Sequence, residues 1–240
     1  MPQYGDRNNN QDWKIWGFQI MLRKMIPCVL VVGLALMTVP ALGQVYAVDY
    51  LGYGWETGGM LPSNAGDELI ITSVADDIDP AFGVDLNTEE VTLHIYGLIS
   101  AGQQDMGGYY VVNYTGGTLD IFEDPAMNAD WGTNPPNPTS PSTFSDGSLF
   151  FRGAFTSFTM YFDSSGASGS FEGNLDGIEG SIINEMCTNC VYTWGGSFSQ
   201  ESDAQIPAGY DLQIDGVFEI DSAVDTETAS WGSVKALFNR

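Results

Sequence analysis

The feature that most constrains the fold of this chain is a strict alternation of apolar and polar residues, clearest between Tyr210 and Asp221. Alternate side chains of a β-strand point to opposite faces, so such a run predicts one buried and one solvated face. The inward set is Tyr210, Leu212, Ile214, Phe218 and Ile220, and the outward set is Asp211, Gln213, Asp215, Glu219 and Asp221. Gly216 falls on the inner face, where it predicts a bulge or a close approach of the backbone.

The same period recurs along the chain in short runs separated by turn residues. These runs span residues 48–56, 69–74, 90–96, 109–114, 118–123, 148–163, 168–172, 178–185 and 191–198. Thr115-Gly116-Gly117 indicates a hairpin turn, and Gly153 is expected to divide 148–163 into two strands. Because no helical period exceeds one turn, the pattern predicts an all-β domain after an N-terminal signal helix. We expect an antiparallel β-sandwich or jelly-roll-like fold of about ten to twelve strands.

A hydrophobic segment near the N-terminus indicates export. Its apolar core over residues 26–37 follows two basic residues and is shorter than the roughly 20 residues that cross a bilayer. Ala41 and Gly43 are the small residues of a cleavage site. We therefore expect a signal peptide over 21–43, preceded by a mis-assigned or disordered extension over 1–20. The mature protein is predicted to be secreted or displayed at the cell surface, with no stable membrane span.

The C-terminal end differs in composition from the β domain, which we place at 44–222. A polar linker over 223–230 precedes a short amphipathic tail over 231–240. A helix of this length is marginal alone in water, so it must dock on its own domain or on another factor. The residues that define the tail are Trp231, Lys235, Phe238 and Arg240.

Two segments resemble secreted β-rich proteins of environmental bacteria for which no activity is known. They are Ile206-Pro-Ala-Gly-Tyr-Asp-Leu-Gln-Ile-Asp-Gly216 and Trp231-Gly-Ser-Val-Lys235. The resemblance implies export and a β-rich fold, and nothing about a substrate. In its order of polar linker, apolar segment and terminal base, the tail also resembles a C-terminal surface-sorting tag. It has neither an LPxTG sequence nor a long apolar run.

The charge of the chain disfavours several classes of partner. Without its first 43 residues the chain keeps 29 acids and three bases, a net charge of about −26. Such a surface repels phosphate backbones and anionic headgroups over a Debye length of about 8 Å. Nucleic acid is therefore not an expected partner, whereas a surface glycan or another extracellular macromolecule is.

The densest group of acids precedes the strand that begins at Glu90, and it offers oxygen ligands for calcium. The candidate ligands are Asp76, Asp77, Asp79, Asp85, Asn87 and Glu89. The last three alternate as ligands do in a calcium loop, although Glu90 stands where the glycine of such a loop belongs. The pattern allows a calcium site, with a solvated acidic loop as the alternative. No other cofactor is indicated.

Cys187 and Cys190, in the sequence Cys-Thr-Asn-Cys, are the cysteines left after signal cleavage. In an oxidising compartment this spacing favours a disulfide at the tip of a hairpin. A thioredoxin-like redox site would need the motif to open a helix, and zinc would need more ligands than His94 supplies.

Arg152 is a candidate for ligand binding, since no other cation lies between residues 44 and 234. If 148–163 is one strand, Arg152 shares a face with Phe150 and Phe158 and is partly buried. A buried arginine is normally paired, which favours a structural ion pair over an anionic ligand.

Trp131 is a second candidate, on a long proline-rich loop between Asp124 and Asp146. Loops of this length without secondary structure are often functional, and we expect the indole to be exposed and able to stack on a sugar. A stiff linker between hairpins is the alternative interpretation.

Catalysis has little support in the sequence. There is no Gly-x-Ser-x-Gly motif and no second histidine, and His94 alternates with Thr92 and Tyr96 on the polar face of its strand. We therefore expect a non-catalytic structural or adhesive module. The alternatives are a calcium-assisted carbohydrate-binding module and a glycan-active enzyme that uses a carboxylate pair.

Overall fold

The computed structural model describes residues 45–132, 141–182, 189–200 and 205–221, all within the compact unit Gly43–Arg240. Eight strands make up this part of the chain: β1 Val45–Glu56, β2 Glu68–Ile78, β3 Glu90–Asp105, β4 Tyr110–Asp124, β5 Ser148–Phe162, β6 Ser168–Glu179, β7 Val191–Ser199 and β8 Leu212–Asp221. Within the described ranges, helical structure is limited to two 3-10 turns, Pro80–Phe82 and Ser142–Phe144, neither of which could cross a bilayer. The predicted extension, signal peptide, linker and tail lie outside the described residues.

The strands form one closed barrel. Each strand pairs antiparallel with the next in sequence, and β1 closes the sheet by pairing with β8 from Val45 opposite Asp221 to Gly54 opposite Leu212. The all-β, antiparallel prediction is confirmed, but the β-sandwich or jelly roll is wrong. A sandwich and a barrel present the same alternation of apolar and polar residues to a core. They differ in which strands pair, and here every strand pairs with its sequence neighbour and the first pairs with the last.

The predicted ten to twelve strands are wrong because three glycine-containing segments continue strands instead of ending them. One of these strands is β6, which runs unbroken from Ser168 to Glu179 where two strands were predicted. β4 runs unbroken through Gly116 and Gly117, whose φ angles of 71° and 95° bend the strand without reversing it. β5 likewise passes through Gly153, where a Cβ would lie 2.9 Å from the ring of Phe151. Glycines permit the sharp strand bends that barrels need, so fewer and longer strands account for the same sequence.

Aromatic side chains fill the interior of the barrel. The ring of Tyr50 stacks on Trp194 with centroids 3.8 Å apart and planes 10° apart, and Phe151 packs on Phe218 at 4.9 Å. Gly216 faces this stack, and a Cβ there would lie 2.5 Å from the Tyr50 hydroxyl. The close approach predicted at Gly216 is therefore confirmed. Stacked and edge-on rings at these spacings add to the stabilisation from apolar burial.

A second, smaller apolar cluster lies outside the barrel. Residues 125–132 and 141–147, between β4 and β5, fold back over the outer face, where Phe122, Phe144 and Tyr210 are buried but do not belong to the barrel core. Thr92 of β3 donates its hydroxyl proton to the Phe144 carbonyl, 3.2 Å away. Tyr210 precedes β8, so its predicted position inside the sheet is wrong.

Candidate functional site

A row of polar side chains crosses the outer face of four neighbouring strands. His94 of β3 lies opposite Asp120 of β4, which lies opposite Arg152 of β5, and Arg152 lies opposite Glu179 of β6. Tyr96 is two residues along from His94 on the same face. Directly opposed residues have Cβ atoms about 5 Å apart. Strand register therefore collects these five residues, which we call the outer polar band.

Arg152 forms the centre of the outer polar band. Its Nε and Nη2 atoms donate to the two carboxylate oxygens of Asp120 at 2.6 and 2.8 Å, and Nη1 donates to Glu179. Tyr96 donates its phenol proton to the same Asp120 carboxylate at 3.3 Å. The Asp120 side chain is only 5% exposed, whereas that of Arg152 is 32% exposed. Arg152 is thus bound by two carboxylates. The structural ion pair that the sequence favoured for Arg152 is present.

The face on which Arg152 lies differs from the sequence prediction. Phe158 points into the barrel, whereas Arg152 points outward, although both positions have the same parity in β5. A register shift between Phe155 and Ser157 adds one residue and reverses the alternation beyond it. Such a bulge exchanges the two faces of a strand, so the rule that alternate residues share a face fails across it.

His94 lies in the band without a hydrogen-bond partner for its Nε2 atom, which is buried. Its ring stacks on that of Tyr96 with centroids 4.9 Å apart. Burial lowers the pKa of His94 to about 4, and the nearby Asp120 charge offsets only part of this effect. At neutral pH the imidazole is uncharged, because a buried cation is disfavoured.

Trp131 fastens residues 125–132 to the barrel. Its indole nitrogen donates to the carbonyl of Thr72 at 3.2 Å, and its carbonyl accepts from the Tyr210 hydroxyl at 2.9 Å. The ring packs edge-on against Tyr53, with centroids 5.2 Å apart. The side chain is half-buried, so the expectation of an exposed indole is wrong. Its role in ligand binding remains a prediction.

The predicted calcium ligands are spread along the end of β2 and the segment that follows. Asp79 accepts from the Ala81 amide at 2.8 Å and caps the first 3-10 turn, and Asp85 accepts from the amide and side chain of Asn87. Glu89 lies beside Glu123, and the two carboxyls share a hydrogen bond that raises the pKa of Glu123. Among the residues that the structure describes, no three carboxylates, histidines or cysteines group as a metal centre. Calcium binding stays a prediction.

Asp77 and Asp79 instead line a shallow cavity of about 390 Å³ beside Asp49. The other lining residues are Ala47, Ile78 and Pro80. Burial raises the pKa of Asp49, and the negative charges of Asp76, Asp77 and Asp215 raise it further. This end of β1 and β2 thus carries a concentration of negative charge.

Cys190 is disulfide-bonded. Cys187, its predicted partner, lies outside the described residues, so the pairing itself remains a prediction.

The opposite end of β1 holds a buried carboxyl that the sequence analysis missed. Glu56 is 4% exposed, and Ser63 donates to its Oε1 atom at 2.5 Å while Tyr114 donates to Oε2 at 3.0 Å. Ser63 also shares a hydrogen bond of 2.6 Å with Ser100. We call Glu56, Ser63, Ser100 and Tyr114 the barrel-end cluster. Its members come from β1, the following segment, β3 and β4.

Burial raises the pKa of Glu56 to about 7, although the hydrogen bonds from Ser63 and Tyr114 oppose the rise. The carboxyl therefore ionises near neutral pH. A signal for it existed in the sequence, because Glu56 has the same parity as the inward-facing Tyr50 of β1. A carboxyl on the apolar face of a strand indicates a buried titratable group.

A scan against protein-family models found no match, and searches of curated proteins and of solved structures found none either.

Proposed function

We propose that this protein is an exported, non-catalytic structural or adhesive module that contacts its partner through the outside of a filled β-barrel. The observation that carries the proposal is the interior itself, where the Tyr50 and Trp194 rings stack at 3.8 Å across the barrel. Barrels that carry small ligands keep a cavity at this position. Rings that fill the interior favour a scaffold over a carrier.

The charge of the outer face supports a partner that is not anionic. The outward side chains of β8, next to β1 in the barrel, include Asp215, Glu219 and Asp221, and Asp49 of β1 lies beside Asp215. In the described ranges Arg152 is the only lysine or arginine, and two carboxylates already bind it. A neutral glycan or a cationic extracellular macromolecule fits such a surface better than nucleic acid or an anionic membrane.

Carbohydrate binding is a second candidate because three aromatic side chains on the outer face are half-buried. Tyr53 and Trp55 project from β1, and Trp131 packs against Tyr53 from outside the barrel. Aromatic rings supply flat apolar area beside polar groups, as a sugar ring requires. Calcium assistance of this binding needs its own assay, and a glycan-active enzyme that uses a carboxylate pair is a separate alternative.

Binding of small apolar molecules tests the filled barrel. The mature protein should bind neither benzene nor the dye 1-anilinonaphthalene-8-sulfonate, whose fluorescence should not rise. Trp194→Ala should bind benzene, because the substitution creates an apolar cavity. Stoichiometric binding of an apolar ligand by the unaltered protein, with quenching of Trp194, would refute the scaffold proposal.

A glycan array with and without calcium separates the two candidates. Binding that disappears in Trp55→Ala, but persists in Tyr109→Ala on the exposed β3–β4 connection, would establish the carbohydrate candidate over the structural one. Binding only with calcium would add the cation, and turnover of a bound polysaccharide would make the protein an enzyme. A purely structural module, or an adhesive one whose partner is a cationic macromolecule, should show neither glycan binding nor turnover.

The surface-display part of the proposal has its own test. Deletion of residues 231–240 should release the protein into the medium of the producing cells if the tail sorts it to the surface. An unchanged distribution between cells and medium, together with a lowered melting temperature, would mean that the tail packs on the domain instead.

A further inference from the structure

The connection between β1 and β2, residues 57–67, packs against one end of the barrel. Met60 and Ser63 in this segment are each 3% exposed. Its backbone is joined to β3, because Gly66 donates to the Ser100 carbonyl at 2.9 Å and Ser100 donates to the Asp67 carbonyl at 2.8 Å. The segment therefore lies against the barrel as an ordered cover.

The barrel-end cluster holds this cover through one carboxyl. Ser63 links it to Glu56 of β1 and to Ser100 of β3, and Tyr114 of β4 donates to the same Glu56 carboxyl while its hydroxyl lies 3.9 Å from the Met60 sulfur. Glu56 thus connects three strands and the cover. A change in its charge acts on all of these contacts together.

Among the residues that the structure describes, no cation lies among the charged groups near Glu56. The cover itself contributes Asp67, the residue before β8 contributes Asp211, and β4 contributes the phenol of Tyr114. Asp211 accepts from the Glu56 amide at 2.8 Å, so its carboxylate is held close. Arg152, the only lysine or arginine in the described ranges, is committed to Asp120 and Glu179. An ionised Glu56 therefore adds a third negative charge and pairs with none of opposite sign.

We propose that residues 57–67 form a pH-dependent cover of the barrel end, which neutral Glu56 holds closed and ionised Glu56 loosens.

Thermodynamic linkage sets the direction in which pH changes the opening equilibrium of the cover. When the cover opens, Glu56 reaches water and regains its ordinary pKa of 4.5, whereas in the closed state its pKa is about 7. An acid whose pKa is raised in the closed state disfavours closure as pH rises through the interval between the two values. From about pH 6 to about pH 8.5 the opening equilibrium should increase about tenfold. His94 stays neutral throughout this range, because its pKa is lowered to about 4.

Hydrogen exchange of the amides in residues 57–67, corrected for the intrinsic pH dependence of exchange, measures this opening. Wild-type protein should lose about tenfold protection there between about pH 6 and about pH 8.5, while the centres of the strands keep theirs. Glu56→Gln keeps the size of the side chain and cannot ionise, so its protection should be independent of pH. Glu172→Gln, which removes an exposed carboxyl on β6, should behave as wild type.

Tyr114→Phe distinguishes the proposed cover from a merely structural cluster. It removes a hydrogen bond that favours ionised Glu56, so the midpoint of opening should move to higher pH. A carbon-13 NMR titration of the Glu56 carboxyl provides a readout that does not depend on opening. Equal protection of the cover at both pH values, a pH dependence that persists in Glu56→Gln, or a Glu56 carboxyl that titrates at its ordinary pKa would overturn the proposal.

Discussion

Arg152→Met is the substitution that most directly tests how the outer polar band stabilises the barrel. Methionine resembles the apolar stem of arginine but lacks the guanidinium, so it removes both donors to Asp120 and the contact with Glu179. Asp120 would then keep only the hydrogen bond from Tyr96, while its side chain remains 5% exposed. A buried carboxylate without its cation is the main energetic consequence.

The expected loss can be bounded from the exposure of the two partners. Breaking a fully buried ion pair costs about 3 to 5 kcal/mol, and an exposed pair about 1 kcal/mol or less. Arg152 is 32% exposed and Asp120 is nearly buried, so the pair lies between these limits. We expect Arg152→Met to lower the free energy of unfolding by about 2 to 3 kcal/mol at neutral pH.

Urea denaturation of the single and double variants is the assay. Asp120→Asn should also destabilise the protein, and Arg152→Met with Asp120→Asn should be more stable than the sum of the single effects by about 1 to 2 kcal/mol. Glu179→Gln should cost about 0.5 kcal/mol or less, since Glu179 is exposed. If Arg152→Met unfolds within 0.5 kcal/mol of wild type, or if the single effects simply add, the structural role argued for Arg152 is refuted.

Two further predictions concern the outer face. Trp131→Ala should lower the free energy of unfolding by about 2 kcal/mol, and Trp131→Phe by about 1 kcal/mol, because alanine loses both the ring packing and the bond to Thr72 whereas phenylalanine loses the bond alone. Urea denaturation measures both, and equal losses would mean that the ring contributes nothing. For His94, the pKa lowered from 6.5 to about 4 means that stability falls as pH drops through this interval, since the unfolded chain takes up the proton first. His94→Gln should remove about 2 kcal/mol of the decline between about pH 6.5 and about pH 4.5, and an unaltered acid limb would show that His94 is not its cause.

Local pattern was sufficient to locate β-structure along the chain but not to count the strands. The alternation from Leu212 to Asp221 became β8, and Gly216 faces the Tyr50 ring as its inward position requires. Barrel closure was beyond this kind of inference, because it depends on β1 meeting β8 across the whole length of the chain. Gly116 and Gly153 were predicted to mark the ends of strands, whereas each allows a continuous strand to bend.

In the candidate sites, too, single residues could be predicted from the local sequence, but their partners on distant strands could not. Pairing of Arg152 followed from its isolation in an acidic chain, but the identity of Asp120 as its partner is set by strand register. The bulge between Phe155 and Ser157 reversed the expected face, and nothing in the local composition marks it. Glu56 was detectable from parity, but its partners Ser63, Ser100 and Tyr114 come together only in the closed barrel.

The pairing of β1 with β8 also makes the order of the strands arbitrary. Val45 at the start of β1 lies opposite Asp221 at the end of β8, so a short linker can join them and make the sheet a ring without a first strand. New ends can then be opened between β3 and β4, where Met106 is exposed and Gly107 has a φ of 80°. A circular permutant built in this way retains every strand pair of the parent, because each strand keeps both of its neighbours.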